Sequence, residues 1–187
     1  MTASKTHTAA ARLPGDPDKD TLIEQIIRVN QAGEYGAKRI YQGQLAVLKG
    51  SEAAPVLEDM LAQEEKHLEK FNALVAARNV RPTVLEPLWH VAGFALGAAT
   101  ALVGKEAAMA CTAAVEEVIG EHYAEQTAQL GDDESALRET ISAFRDDELH
   151  HRDVSLQHGA EAAPAYLPLT TAIKAGTRVA IWLSKRI

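Results

Sequence analysis

Residues 57–71 read LEDMLAQEEKHLEKF and residues 137–151 read LRETISAFRDDELHH. In each stretch, residues three or four positions apart form one helical stripe, and Glu-x-x-His lies in that stripe among apolar residues. The first stripe is Leu57, Met60, Glu64, His67 and Phe71, and the second is Leu137, Ile141, Phe144, Glu148 and His151. Both stretches are therefore predicted to be helices that turn carboxylates and imidazoles toward the protein interior.

Two more helical stripes come before these stretches in the chain. One consists of Ile23, Ile27, Asn30, Glu34, Ala37, Tyr41 and Leu48, and the other of Thr112, Glu116, Ile119, Tyr123, Gln126 and Leu130. Gly50 and the sequence Gly131-Asp132-Asp133 interrupt the pattern, so the connections within each pair of helices are short. Short connections favour antiparallel neighbours, and the sequence predicts an all-α four-helix bundle.

The composition supports a helical fold and excludes several classes of function. The chain has 187 residues, 5% aromatic residues and a formal net charge of −7. This length fits one domain, and the alanine-rich composition favours helix over sheet. A single Cys excludes a disulfide framework and any cysteine-ligated cluster, so a metal would need Glu, Asp or His ligands. The acidic balance argues against a nucleic-acid partner.

Outside the bundle, three segments have compositions of their own. Residues 1–19 lack apolar periodicity and are predicted to be a disordered tail, which leaves residues 20–187 as a single domain. Residues 87–104 are uncharged, and residues 169–187 contain basic and apolar residues but no acid. We expect two additional helices, hydrophobic or amphipathic, that lie at an anionic membrane surface.

The unusual feature of the four stripes is that they carry charge where a plain bundle would have Leu or Ile. Burying four carboxylates is costly, so cations are expected among them, and two divalent ions would balance the four negative charges. The interval from Glu34 to Glu64 is 30 residues and that from Glu116 to Glu148 is 32, which suggests an internal duplication. One Glu from each of two helices plus two Glu-x-x-His motifs is the ligand set of ferritin-like di-iron or di-manganese proteins. The predicted ligands are Glu34, Glu64, His67, Glu116, Glu148 and His151.

Two simpler explanations of these residues remain open at this point. The charged positions are either ordinary solvent-exposed helix faces or a salt-bridge network with neighbouring cations. Other candidates lie close to the ligands in sequence. Asp147 is expected to accept the second N–H of a ligand histidine. His122 and Tyr123 are candidates for a proton or electron relay, although Tyr123 equally suits a packing role.

Several longer strings resemble one family closely, the demethoxyubiquinone hydroxylases of ubiquinone biosynthesis. They are RVNQAGEYGA at residues 28–37, RPT at 81–83, GFALGA at 93–98, AMACT at 108–112 and RVAIW at 178–182. The resemblance covers the chain from about Ile27 to Ile187. It implies a ferritin-like fold in which the same six residues hold two irons, with Glu64 and Glu148 as bridging ligands.

This resemblance also implies an activity and its partners. The family inserts one oxygen atom from O₂ into the ring of a polyprenyl methoxy-methyl-benzoquinol, with NADH as the implied reductant. A lipid-binding accessory protein of the ubiquinone pathway is an implied partner. Eukaryotic relatives carry a longer presequence than residues 1–19, so we expect the cytoplasmic face of a bacterial inner membrane rather than the matrix side of the mitochondrial one.

Other functions fit the same bundle. A ferritin-like iron-handling protein would share the ligands, but it would not need the apolar segments. A non-catalytic scaffold of the quinone-synthesis complex would keep its role after loss of the metal. The sequence leaves the oligomeric state open, a homo-oligomer included, and the ligands alone suit iron or manganese.

Overall fold

Six α-helices make up most of residues 13–187, the part of the chain that the computed structural model describes. They are α1 (Lys19–Leu48), α2 (Ala54–Arg78), α3 (Glu86–Val103), α4 (Lys105–Gln129), α5 (Ser135–Gln157) and α6 (Tyr166–Ser184). Within these described residues the secondary structure is helix and turn, without a β-strand. The all-α prediction is therefore confirmed.

Local signals in the sequence account for the ends of the helices. The side chain of Asp18 accepts a hydrogen bond from the Thr21 backbone N–H at 2.8 Å, so α1 begins at Lys19, the last residue of the predicted tail. Residues 13–18 form a turn before it, and residues 1–12 of that tail lie outside the described residues. At the other end of the first hairpin, α2 ends at Arg78. The next residue, Asn79, caps the helix with a φ of 52°, which lies in the left-handed region.

Helices α1, α2, α4 and α5 form the four-helix bundle, and their predicted stripes face its interior. One apolar cluster of the interior includes Ile27 and Phe71, and a second includes Leu57 and Met109. Along α1, Glu34 lies between Ile27 of the first cluster and Tyr41 of the second. The charged residues of the stripes therefore lie between two apolar clusters.

Helix α3, the first predicted additional segment, lies directly against the backbone of α1. A Cβ atom at Gly97 would overlap the carbonyl oxygen of Ile40, and one at Gly43 would overlap that of Phe94. A Cβ at Gly93 would come within 2.9 Å of the Gly36 carbonyl oxygen. Glycine is required at these positions because the two helix backbones touch. This close approach fixes α3 along α1.

Helix α6, the second additional segment, is attached to α4 by two ion pairs. Lys174 Nζ lies 2.6 Å from Glu117 Oε1, and the Arg178 guanidinium lies 3.0 Å from Glu121 Oε2. At its C-terminal end, the Trp89 indole N–H of α3 donates to Ser184 Oγ at 2.9 Å. In residues 13–187, neither α3, α6 nor any other helix combines the length and the apolar character needed to cross a bilayer.

Candidate metal centre

The six predicted ligands converge in the middle of the bundle. Helix α1 contributes one of them, α4 one, and α2 and α5 two each. The residues are Glu34, Glu64, His67, Glu116, Glu148 and His151, and each is at most 3% exposed. Solvent-exposed faces therefore do not explain them. A salt-bridge network with Lys or Arg does not explain them either, because within residues 13–187 no Lys or Arg side chain pairs with these carboxylates. The basic groups within 4 Å of Glu34, Glu64 and Glu148 belong to the two histidines.

These six residues form two overlapping groups that can each hold one metal ion. Glu34, Glu64, His67 and Glu148 form the first group, which we call position 1. Position 2 is formed by Glu64, Glu116, Glu148 and His151. In each group, one ligand atom from every residue lies within 4.8 Å of the others. Since Glu64 and Glu148 belong to both groups, they are the residues able to bridge two ions.

The hydrogen-bonding state of the cluster fits a metal centre. Eight buried side-chain nitrogen or oxygen atoms in residues 13–187 lack a hydrogen-bond partner, and five of them belong to position 2. They are both carboxylate oxygens of Glu64, one oxygen each of Glu116 and Glu148, and Nδ1 of His151. Buried polar atoms are normally satisfied, so this concentration indicates ligand atoms that need a cation.

Burial and mutual repulsion disfavour the ionised form of most of these carboxyl groups when no cation is present. Desolvation, followed by the charge of Glu148, raises the pKa of Glu64 and of Glu116 well above the ordinary value. Desolvation also raises the pKa of Glu34, despite its hydrogen bond with His67. Divalent ions would reverse these shifts by supplying the missing positive charge.

Glu148 and His67 behave differently because they form a pair. Desolvation alone would raise the pKa of Glu148, but the neighbouring imidazoles of His151 and His67 lower it to about 2. Desolvation would lower the pKa of His67, but its hydrogen bonds with Glu148 and Glu34 raise it to about 10. His67 Nδ1 lies 3.1 Å from Glu148 Oε1, and His151 Nδ1 lies 3.4 Å from Glu148 Oε2. Glu148 thus faces both imidazoles.

Two buried tyrosines connect the two halves of the bundle, the hairpin of α1 and α2 and the hairpin of α4 and α5. Each tyrosine donates a hydrogen bond to a carboxylate of the other half. The Tyr41 hydroxyl donates to Glu116 Oε1 at 2.8 Å, and the Tyr123 hydroxyl donates to Glu34 Oε1. Desolvation and the nearby carboxylates raise the pKa of both phenols well above the ordinary value, so both remain donors. Tyr123 was a candidate from its sequence position, whereas Tyr41 was expected only as part of the α1 stripe. Each tyrosine follows the Glu of its own helix by seven residues, and that repeated interval could have identified Tyr41.

The Nε2 atom of each histidine also contacts a side chain from the other half of the bundle. His67 Nε2 lies 3.1 Å from Asp147 Oδ2, and His151 Nε2 lies 3.2 Å from Gln63 Oε1. Asp147 is thus where an acceptor for a ligand histidine was expected. Gln63 was missed, although it comes immediately before Glu64 as Asp147 comes immediately before Glu148.

His122, the other relay candidate, makes its hydrogen bond away from the six ligands. Its Nε2 lies 2.8 Å from the Gln126 amide nitrogen, and desolvation lowers the pKa of His122 to about 4. The amides of Gln126 and Asn30 exchange two hydrogen bonds of 2.8 Å between α4 and α1. His122 is therefore a neutral acceptor in a network that joins these two helices.

An apolar cavity of about 200 Å³ lies against the α1 and α4 side of the cluster. Its walls include Gly33 and Ala37 of α1 and Val115 and Ile119 of α4, which are close in sequence to Glu34 and Glu116, although neither carboxylate lines the cavity. Helices α3 and α6 form the remaining walls. The cavity therefore offers an apolar molecule a place among helices α1, α3, α4 and α6.

The fold and the buried cluster define a class of protein, the ferritin-like bundles whose carboxylates and imidazoles are arranged for two metal ions. The family model described as "Ubiquinone biosynthesis protein COQ7" matches residues 21–184. The chain belongs to this family.

Three relatives have names that state an activity. The chain is 59% identical over 186 residues to the 3-demethoxyubiquinol 3-hydroxylase of Rhodospirillum rubrum, covering 99% of this chain and 88% of the relative. It is 55% identical over 169 residues to the human NADPH-dependent 3-demethoxyubiquinone 3-hydroxylase, mitochondrial, covering 88% of this chain and 78% of the relative. It is 44% identical over 183 residues to the 5-demethoxyubiquinone hydroxylase, mitochondrial, of Saccharomyces cerevisiae, covering 89% and 78%.

Proposed function

We propose that this protein hydroxylates the ring of a polyprenyl methoxy-methyl-benzoquinol in ubiquinone biosynthesis. The observation that carries the proposal is the buried cluster of four carboxylates and two imidazoles, which can hold two metal ions. An apolar cavity lined by α1 and α4, which carry Glu34 and Glu116, offers a place for an apolar ring. The names of the relatives describe this reaction for those proteins. Their identity to this chain supports extending it here.

In this proposal, the six buried residues would hold two irons, and Glu64 and Glu148, which belong to both groups, would be shared between them. The irons, when bound, supply the redox chemistry that activates O₂. The carboxylates balance the charge of the metals, and the Tyr41 and Tyr123 hydroxyls hold the orientation of Glu116 and Glu34. The apolar walls of the cavity would exclude water from the ring.

The reaction balances with a two-electron donor. One atom of O₂ enters a ring C–H bond to give a hydroxyl group, and the other leaves as water after taking up two protons and two electrons. The family resemblance implies NADH as the donor, while the names of the human and Dictyostelium discoideum relatives say NADPH-dependent. We therefore propose reduced nicotinamide as the electron source and would test both forms.

Labelled oxygen tests the hydroxylation directly. Anaerobic protein loaded with ferrous ion is given a short-chain demethoxyquinol, a reduced nicotinamide and ¹⁸O₂, and the product is analysed by mass spectrometry. We expect one labelled oxygen atom per product molecule and about two irons per chain. A large mineral load without product would instead indicate an iron-handling protein, and an intact fold without product would indicate a scaffold. Either outcome would refute the hydroxylase.

We also propose that α3 and α6 bind a membrane surface, as their composition predicts. Their exposed large apolar side chains include Val91 at 65%, Val179 at 57% and Trp182 at 54%. The charge argument is weaker than the sequence suggested, because Lys174 and Arg178 are paired with glutamates of α4. The apolar side chains must therefore provide most of the affinity. A bacterial inner membrane and a lipid-binding accessory protein belong to the same proposal.

Vesicle sedimentation tests the membrane proposal. The double variant Val91→Asp/Val179→Asp should bind anionic vesicles at least about tenfold more weakly, because two apolar side chains no longer enter the interface. Leu13→Asp is the matched control, since Leu13 is 71% exposed but lies outside α3 and α6. Equal binding by both variants would contradict the proposal.

A further inference from the structure

The two metal positions differ in the acceptor that their histidine meets. His67 of position 1 has Asp147 Oδ2 at 3.1 Å from its Nε2, whereas His151 of position 2 has Gln63 Oε1 at 3.2 Å. Both acceptors come immediately before the Glu of the other half's Glu-x-x-His motif. The two contacts are therefore equivalent in geometry and different in charge.

This difference in charge reaches the metal through the imidazole ring. In both pairs Nε2–H donates to the acceptor, which leaves Nδ1 as the nitrogen that faces the carboxylates. A carboxylate acceptor stabilises positive charge on the ring better than a neutral amide does. It therefore makes Nδ1 a stronger electron-pair donor to a metal ion. The carboxylate of Asp147 is 49% exposed, so water screens part of this effect.

Asp147 is not needed to hold the ring plane of His67. The His67 ring stacks on Phe144 with centroids 3.9 Å apart and an angle of 23° between the planes. The His151 ring has only an edge contact with Tyr41, at 6.3 Å and 78°. Because Phe144 already fixes the ring of His67, the distinct contribution of Asp147 is its charge.

We propose that the two metal positions are unequal, and that Asp147 and Gln63 are the positioning residues that set the difference. Position 1 binds its ion more tightly because the acceptor of its histidine is anionic. This inference rests on the dinuclear site of the proposed function and adds an order of filling to it.

Cobalt titration of chains with one position disabled tests the inequality. His151→Ala leaves the histidine of position 1, and His67→Ala leaves that of position 2. Anaerobic binding of Co²⁺, followed by its visible absorption, should be tighter in His151→Ala than in His67→Ala. Adding Asp147→Asn should weaken binding about 10- to 100-fold in His151→Ala and less than about twofold in His67→Ala, where the partner ring is absent.

The reciprocal change and a rescue distinguish this role from a structural one. Gln63→Glu should tighten Co²⁺ binding in the His67→Ala chain and leave it unchanged in the His151→Ala chain. Asp147→Glu should restore most of the affinity lost in Asp147→Asn, because it restores the carboxylate. Equal effects of Asp147→Asn in both chains would overturn the proposal.

A second measurement uses the chain with all six ligands and so does not depend on the histidine variants. Cobalt should leave the unsubstituted site toward a chelator in a fast and a slow phase, and Asp147→Asn should accelerate the slow phase alone. One shared rate before and after the substitution would refute the inequality. If the chain binds two irons and forms product but its two positions bind metal equally, only this inference is refuted. If the chain does not bind metal, the proposed function is refuted.

Discussion

Replacing Glu148 with alanine is expected to abolish ring hydroxylation and to reduce the iron content below two per chain. Glu148 belongs to both metal positions and faces both histidines, at 3.1 Å and 3.4 Å from their Nδ1 atoms. The loss should exceed the about 10- to 100-fold effect typical of an outer partner of a ligand, because a bridging ligand itself is removed. Product is measured by mass spectrometry and iron by a colorimetric assay.

The matched control for this variant lies two residues earlier on the same helix. Asp146 is an acidic residue whose side chain is 74% exposed, and Asp146→Ala should keep both iron content and activity. Circular dichroism of both variants checks that α5 remains folded. Full activity of Glu148→Ala with two irons bound would contradict the site described here.

The metal-free protein is expected to lose stability as the pH rises above about 5. Glu34, Glu64 and Glu116 have pKa values raised by burial, so they favour the folded state below their unfolded pKa near 4.5 and lose this contribution as they ionise. The pKa of His67 is raised from 6.5 to about 10, so its contribution is lost as the pH rises from about 6.5 to 10. Glu148, at about 2, acts oppositely, and its contribution disappears only as the pH falls from 4.5 toward 2.

Ferrous ion should reverse this trend because its ligands must be deprotonated to bind it. At 100 times the dissociation constant, each bound ion adds about 2.7 kcal/mol to stability. At about 2–4 °C per kcal/mol for a chain of this size, two ions should raise the melting temperature by about 10–20 °C at pH 8. Anaerobic thermal melts from pH 5 to 8, with and without ferrous ion, measure both effects.

Glu116→Gln provides the control for the pH experiment. It removes one of the carboxyl groups whose pKa is raised. The metal-free variant should therefore be more stable than the unsubstituted chain at pH 8 and should gain less stability from ferrous ion. A metal-free protein that is more stable at pH 8 than at pH 5 would refute the pKa argument.

The fold and the burial of the six candidate ligands were predictable because the periodicity of the chain indicates both. The Glu-x-x-His motifs share a stripe with Phe71 and Ile141, which are buried, and that shared stripe already places them inside the bundle. A change in composition also located the two additional segments. Residues 87–104 nearly coincide with α3 at Glu86–Val103, whereas α6 at Tyr166–Ser184 begins and ends three residues before the predicted 169–187. These features are local, so one sequence is enough to find them.

Other features depend on how the helices pack against each other. The cavity forms only when α3 and α6 meet α1 and α4, and its wall residues Gly33 and Val115 have no distinctive pattern in the sequence. The pairing of Lys174 with Glu117 also joins distant segments, and it changes how the basic composition of α6 is interpreted. Contacts of this kind require the tertiary structure.

The contacts between the two helical hairpins suggest how the molecule originated. Position 1 takes Glu34, Glu64 and His67 from the first hairpin and a single Glu148 from the second, and position 2 has the reverse arrangement. The tyrosine of each hairpin likewise supports the carboxylate of the other. One self-complementary hairpin, assembled as a symmetric homodimer, would therefore supply every ligand, and fusion of two copies would have freed each to diverge.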